Sequence, residues 1–516
     1  ILLAGPGTGK TTKVKSIIRE QFADAENILV LSFTNATVSD LRASFAENRN
    51  VKCYTLHSYA LKINHLPELH VLDSSTETPI LKRYSEKLEI PFRTLTGLLG
   101  CIRFEEMITS CIQFMRNNPA YAAENIGTLD LFIVDEFQDF NEVERELVLQ
   151  ISNYAENTFI LGDDDQSIYG FKDADPDGII ELYNNDETEV IEHENICYRC
   201  PDEVVEKSKR LIENNTHRVE KDWHTSDKEG EVIYQQFISQ AATFNYISNQ
   251  IGKIKEAEPD STILILSPVK YYLDELIGSF EANEIPYTNF WAARIDNETL
   301  KNIWWLKSIY STHKLLNLLF ICKEYKLLSR RPFIRLLQES LHRNFNTEEL
   351  IENIIALNYL PEYLSQAILE QPTIEDLLEN CPEFIQFQEH IDETNLEESV
   401  SEIEKSIRPN VTFDPTTANI MSIHKSKGLQ ADYVFIYGLT DGIIPNITDG
   451  IDSIEAYRRL LFVGMTRAIK SLYLISTVEW EGKYVNKVDK TKFRFNPRRK
   501  KWFGRASSFI NELELE

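Results

Sequence analysis

Short apolar runs alternate along this chain with stretches whose apolar residues recur at helical spacing. Ile1-Leu2-Leu3 is the first such run, and a helix-like stretch, Thr12 to Phe22, follows it. Asn27 to Phe33 reads as a second strand, ahead of a helical stretch from Val38 to Phe45, and a third run ends in Tyr54-Thr55-Leu56-His57-Ser58-Tyr59. Leu131 to Val134 and Thr158 to Leu161 complete the set in the first part of the chain. Short unbroken apolar runs fit buried strands, and strands alternating with helices predict a parallel α/β sheet. Residues 66–124 interrupt this rhythm with mixed helical periodicity and few strand signals. A second α/β region starts near Asn195, with strand-like runs at Val232–Phe237, Thr262–Ser267, Ile420–Ile423, Tyr433–Tyr437 and Ser471–Ile475. Between them, from about 291 to 404, the pattern is helical throughout. The predicted layout is one α/β domain over 1–65 and 125–194 carrying a helical insertion at 66–124. A second covers 195–290 and 405–516 and carries a helical insertion at 291–404.

Two of these predicted strands end in residues suited to phosphate chemistry. Ala4-Gly5-Pro6-Gly7-Thr8-Gly9-Lys10-Thr11 follows the first strand and precedes a helix. It has the P-loop pattern, with Ala4 where the strict pattern has Gly. The strand–loop–helix context matters because backbone N–H groups at a helix N-terminus must cradle the phosphates. Gly5, Pro6, Gly7, Thr8, Gly9 and Thr12 belong to that cradle. Lys10 reaches the β- and γ-phosphates in such a loop, and the Thr11 hydroxyl holds Mg²⁺. Asp135 lies at the carboxyl end of the Leu131–Val134 run, the edge where ligands bind in open α/β sheets. It is placed to hold Mg²⁺, and Glu136 to orient or deprotonate an attacking water. An acidic pair at a strand end is common on solvated surfaces; the upstream P-loop gives this one its meaning. Together they predict an Mg²⁺-dependent nucleotide hydrolase; ATP as that nucleotide is what the resemblance described below implies.

Composition narrows the picture. At 516 residues the chain is long enough for about three or four domains. Its net charge of −27 argues against a binder held by overall positive charge, though not against a basic groove on an acidic body. Residues 361–404 carry thirteen Asp/Glu and no Lys or Arg, a solvated or a protein-binding face. Residues 492–505 are opposite in sign, with seven basic residues interleaved with aromatics. That mixture suits single-stranded nucleic acid, and equally a basic terminus balancing an acidic body. Seven scattered cysteines suggest a reducing compartment. Cys197-Tyr198-Arg199-Cys200 lacks the second pair a zinc site needs. No run approaches the roughly 18 apolar residues of a membrane span and no signal peptide is visible, so no membrane role and a cytoplasmic location are expected. The chain starts at Ile1 on the P-loop strand, from which a missing N-terminal segment is expected.

Taken in order, these segments resemble the UvrD/Rep type of superfamily-one DNA helicases. The matching runs are AGPGTGKT (4–11), LSFTNATVSDL (31–41), TLHSYALKI (55–63), IVDEFQDFN (133–141) and LGDDDQSIYGFKDA (161–174). Further on they are YRCPDEVV (198–205), MSIHKSKGLQADYVFIYGL (421–439) and RRLLFVGMTRA (458–468). The resemblance implies two RecA-like domains with ATP between them. It assigns Gln166 to sensing the γ-phosphate and attacking water, and Arg199 and Arg467 to stabilising the departing phosphoryl. Tyr198 would stack on adenine, and Gln430 would meet the ribose. Phe33, Thr34, Asn35, His57, Tyr169, Phe171 and His424 would line the DNA track. The family's adenine-reading glutamine motif would precede Ile1.

Three departures accompany the resemblance. Phe171-Lys172 stands where Trp-Arg is usual, Gln430 where Glu is usual, and both insertions are short. Phe still stacks, whereas Lys is a point charge without the planar fork of Arg. The expected activity is Mg²⁺-ATP-driven 3′→5′ movement on single-stranded DNA with duplex unwinding. The alternative is an ATP-binding, DNA-sensing regulatory subunit of a nuclease complex. Short chains of this kind also resemble the helicase subunit of Gabija-type bacterial anti-phage systems, which pairs with a nuclease.

Overall fold

The structure is a computed structural model that describes residues 1–64, 69–268, 273–290, 295–342, 346–390, 396, 399–400, 413–446 and 454–515. The expected boundaries near 65, 291 and 404, and most of the acidic stretch after 390, lie outside the described residues. The chain divides into two compact units. One comprises Ile1–Ile63, Cys111–Ala292 and Val411–Glu516; the other comprises Asn64–Ser110 and Ala293–Asn410.

The larger unit is built on two mainly parallel sheets. The first has five strands in the order Leu2–Leu3, Thr158–Gly162, Leu131–Val134, Ile28–Ser32 and Val51–Thr55, every neighbour parallel. All residues of Leu131–Val134 and Ile28–Ser32 are buried, as continuous apolar strands covered on both faces by helices must be. The Leu131–Val134 run forms the strand the sequence pattern predicts for it. Because the strands are parallel, the P-loop, Phe33, His57, Asp135 and Asp163 all follow strand ends at one carboxyl edge. The connection after Asp135 is pinned by a capping box, in which Asn141 and Glu144 satisfy each other's backbone N–H ahead of the helix Glu142–Ser152.

The second sheet has eight strands. Tyr287–Asn289, Ala418–Ser422, Ile263–Ser267, Ala431–Tyr437 and Ala468–Trp480 run parallel in that order. Glu231–Ser239 pairs with the same long strand Ala468–Trp480. The antiparallel hairpin Arg494–Asn496 and Lys501–Phe503 is attached to that strand's far end, and so absorbs the basic-aromatic tail. Its core is continuous from Val204 and Trp223 through Ile265, Phe435 and Leu474 to Phe509.

The smaller unit is mainly helical. Leu81, Tyr84, Trp304, Trp305, Phe320, Phe333 and Ile354 share one core, drawn from both inserted stretches. The Tyr84 hydroxyl donates to the Leu319 carbonyl at 2.7 Å, joining residues far apart in sequence. Two three-residue parallel strands, His70–Leu72 and Cys101–Arg103, lie within a stretch read as helical. Strands this short carry no detectable alternation. Residues 111–124 cluster with the larger unit, where Asn125 donates to the Ile63 carbonyl at 3.3 Å. Among the described residues, no helix is long and apolar enough to cross a membrane.

Candidate active site

The P-loop closes over itself and is clasped by the segment from Asn195 to Trp223. Gly7 and Gly9 have φ of 75° and 85°, values that favour glycine. A Cβ on Gly7 would lie 2.8 Å from both the Arg199 Cβ and the Cys197 Sγ, so packing reinforces the requirement. Lys10 donates to the carbonyls of Ala4 (2.8 Å) and Gly5 (3.3 Å), and the Thr8 hydroxyl donates to Gly5 (2.8 Å). The Gly5 N–H donates to Asn195 Oδ1 (3.0 Å), the Tyr198 N–H to the Gly7 carbonyl (3.0 Å) and the Trp223 indole to the Pro6 carbonyl (3.0 Å). Thr11 and Thr12 sit in the first turn of the following helix, Lys10–Ser16. The Tyr198 side chain is 62% exposed beside this loop, so its ring is free to cover a flat ligand.

Across the sheet edge, Asp135 is buried and accepts the Glu136 N–H at 3.0 Å. Burial, then the neighbouring Glu136, push its carboxyl up to about 7. Lys10 and Lys427 act on it in the opposite sense, although neither is hydrogen-bonded to it. Such a carboxylate is short of positive charge, a setting suited to a divalent cation. Glu136 is in the left-handed region, with φ 57°, an unusual backbone for a non-glycine residue that costs of order 1–3 kcal/mol and gathers at functional sites. Its Oε2 accepts from Gln138 at 2.6 Å and lies 3.7 Å from Lys427 Nζ. Burial opposes its ionisation, but Lys427 and Lys10 outweigh burial and hold the carboxyl below its ordinary value.

The loop after Thr158–Gly162 joins this edge to the second sheet. Gln138 Oε1 accepts the Asp163 N–H at 3.0 Å. Gln166 Nε2 donates to Asp163 Oδ2 at 2.6 Å, and Gln166 Oε1 accepts from Arg467 at 3.1 Å. Lys427 donates to both Asp139 oxygens (2.7 and 2.6 Å) and to the Gln166 carbonyl (2.7 Å). Arg467 is buried and also donates to the carbonyls of Val463 (2.8 Å) and Leu429 (3.3 Å). Burial and then Arg199 weigh against its charge, which a guanidinium nevertheless retains. Arg199 donates to the Thr466 carbonyl at 3.3 Å, so both arginines meet around the turn that ends the helix Ile454–Met465.

The same loop continues into a strip of aromatic rings. Phe33 and Tyr169 have centroids 5.0 Å apart, Tyr169 and Phe171 5.8 Å, and Phe171 and His424 5.3 Å. Phe171 is 63% exposed, which core packing does not explain. Lys172 stands over Phe33 at 5.2 Å and over Tyr169 at 5.4 Å, a cation–π position. His57 lies beside the helix Glu142–Ser152, its Nε2 3.5 Å from Glu144. Thr34 caps the helix Asn35–Ser44 by accepting the Thr37 N–H, and Asn35 is exposed at its start. Burial depresses both His57 and His424 to about 4, with Lys172 and Lys427 respectively adding to it. Gln430 is exposed ahead of the strand Ala431–Tyr437, and among the described residues no hydrogen bond joins it to the P-loop.

Sequence reasoning missed several participants. Lys427 and Gln138 lie inside runs it quoted, where a cation and an amide facing an acidic edge were the available signal. Asn195, Arg218, Lys221 and Trp223 lie in irregular segments with no motif. Among the described residues, the one trio of side chains close enough to share a metal is Asp163, Asp164 and Asp165. The Lys221 ammonium occupies their midst, 2.9 Å from Asp163 and from Asp165 and paired with Asp164. Cys197 and Cys200 pack against each other, and Cys200 donates to the Thr466 carbonyl.

Two families match the chain, an AAA domain over residues 1–172 and the UvrD-like helicase C-terminal domain over 297–479. Among full-length relatives, the ATP-dependent DNA helicase PcrA of Leuconostoc citreum is 22% identical, with 92% of this chain and 79% of that protein covered. The ATP-dependent DNA helicase Rep of Buchnera aphidicola subsp. Schizaphis graminum is 24% identical, with 92% and 90% covered. A probable DNA helicase II homolog of Mycoplasma capricolum is 22% identical, with 92% and 81% covered.

Proposed function

Because the chain belongs to the UvrD/Rep-type superfamily-one helicases, we infer that it is an ATP-driven motor that moves 3′→5′ on single-stranded DNA and unwinds duplex. The observation that carries this reading is the loop from Asp163 to Lys172. It holds Gln166 against Arg467 and, three residues on, Tyr169 and Phe171 in the aromatic strip. A change in how Arg467 and Gln166 meet is thereby felt by rings that can stack on bases.

In this reading the two sheets are RecA-like domains, the first over 1–65 and 125–194 and the second over 195–290 and 405–516. The stretches 66–124 and 291–404 are their helical insertions. The P-loop glycines and Lys10 bind the phosphates, and Tyr198 covers the adenine. Thr11 and Asp135 would hold Mg²⁺, which neutralises charge on the β- and γ-oxygens; the charge-poor Asp135 carboxylate fits that group. Glu136, kept ionised by Lys427 and Lys10, accepts the proton of the attacking water. Gln166 orients that water, while Arg467 and Arg199 stabilise the negative charge spreading over the departing phosphoryl. Those arginines lie on the second sheet's side, so hydrolysis and closure of the two sheets become one event.

On the strip, bases stack on Phe33, Tyr169, Phe171 and His424, with Thr34, Asn35 and His57 beside them. Stacking grips any sequence, which a stepping motor needs. Lys172 replaces a planar guanidinium with a point charge held over two rings.

Steady-state ATP hydrolysis with and without single-stranded DNA, against Lys10→Ala, tests the reading. Strong stimulation, followed by displacement of a strand from a 3′-tailed duplex and not a 5′-tailed one, is expected. ATP binding without stimulation would replace it with the regulatory reading and a partner nuclease.

A further inference from the structure

The acidic run Asp163-Asp164-Asp165 resembles a cation site, yet its cations come from the chain itself. Arg218 donates to both Asp165 oxygens at 2.9 and 2.7 Å, and the Val219 N–H donates to Asp164 Oδ2 at 2.8 Å. Lys221 reaches all three carboxylates from a side chain that is only 4% exposed. Asp164 and Asp165 are thus satisfied within the cluster. Asp163 is not confined to it: Oδ1 faces Lys221 at 2.9 Å, while Oδ2 accepts the Gln166 amide at 2.6 Å.

That second contact fixes a choice. An ionised carboxylate only accepts and a guanidinium only donates. Gln166 between Asp163 and Arg467 therefore has one satisfied orientation, with Nε2 to Asp163 and Oε1 to Arg467. Burial works against the charge on Asp163, and Lys221, then Lys10, outweigh it. Without Lys221 the buried Asp163 carboxylate takes up a proton from solvent and becomes able to donate. Gln166 can then turn its oxygen to Asp163, which leaves an NH₂ group facing the Arg467 guanidinium, donor against donor.

We infer that Lys221 is a positioning residue for ATP hydrolysis: through Asp163 it fixes the Gln166 amide with its oxygen toward Arg467. The inference rests on the reading of Gln166 and Arg467 as the groups that act on the γ-phosphate. It adds a residue from the irregular segment after the helix Asp202–Ile212, which touches neither the P-loop lysine nor the aromatic strip.

A double-mutant cycle on the full chain tests it, with kcat and KM for ATP measured at saturating single-stranded DNA. Wild type, Lys221→Met, Gln166→Ala and the double variant are compared. Lys221→Met should lower kcat about ten- to a hundredfold, within the range for coupled residues of one hydrogen-bond network, with KM changed less than about threefold. In the Gln166→Ala background the same change should cost less than about twofold, because the amide it positions is gone. Equal losses in both backgrounds, or an unchanged kcat, would overturn the inference. Should Lys221→Met alone fail to fold, Lys221→Met/Asp164→Asn removes a buried negative charge along with the lysine and leaves Asp163 in place. The same cycle with that pair decides by the same criteria. A wild type that hydrolyses no ATP refutes the motor reading itself and takes this inference with it; normal wild-type turnover with an additive cycle refutes the inference alone.

Discussion

Two acidic clusters stand at the same sheet edge and have opposite characters. Asp163, Asp164 and Asp165 are closed around Lys221 and Arg218, each carboxylate with a cation or an N–H in hydrogen-bonding reach. Asp135 is left with its carboxyl raised and no cation hydrogen-bonded to it, because Lys10 is turned onto the P-loop carbonyls and Lys427 onto Asp139 and the Gln166 carbonyl, while Glu136 beside it meets Lys427 at 3.7 Å. In the sequence both are simply runs of acids after a strand. Their difference lies in which cations the fold brings from elsewhere. On the proposed reading, a cluster neutralised by its own chain serves positioning, whereas one left open takes a foreign cation and a reacting water.

The sharpest way to break that contrast is at its open end. Glu136→Gln should lower kcat for ATP by about 10²–10⁴, the range for a positioned general base, while nucleotide binding persists. Single-turnover hydrolysis alongside equilibrium binding measures both, and an unchanged rate would remove Glu136 as the base. At the closed end, Asp165→Ala strips Arg218 of its partner but leaves Lys221 on Asp163 and Asp164. It should destabilise the protein by about 1–3 kcal/mol, the cost of leaving a largely buried donor without its partner, while kcat per folded molecule stays within about threefold. Thermal melting with active-site titration separates the two, and a large loss of kcat with little loss of stability would reverse the assignment.

The smallest effect concerns the aromatic strip, whose grip on DNA should owe nothing to histidine charge. With His57 and His424 depressed to about 4, both stay neutral from pH 8 to pH 6, because the charged form gains ground only near and below that value. The salt dependence of single-strand affinity counts the cations that neutralise phosphates. Its slope should be the same at pH 6 and pH 8; a steeper slope at pH 6 would mean that the histidines become charged on DNA.

What the sequence disclosed follows from where information is local. The strand Leu131–Val134 and the acids after it are contiguous, so four apolar letters and two acids suffice to place them. The P-loop is legible for the same reason, since loop, lysine and helix lie within a dozen residues. Lys221 and Trp223 were silent because each acts alone from an irregular segment, with no period to betray it and its partners 50 or more residues away. The strands His70–Leu72 and Cys101–Arg103 escaped because three residues hold too little pattern to outweigh their helical surroundings.

The seam between the two matched families gives the P-loop's clasp a meaning for inheritance. Those families end at residue 172 and resume at 297, yet Asn195, Arg199, Arg218, Lys221 and Trp223 fall in the interval. A recombinant that joined the front of one relative to the back of another at the first boundary would carry a complete phosphate loop against a mismatched clasp, whereas a join at the second keeps the two together. This interval must travel with the loop it holds, so exchange between lineages is tolerated only where the whole stretch through Trp223 moves as one.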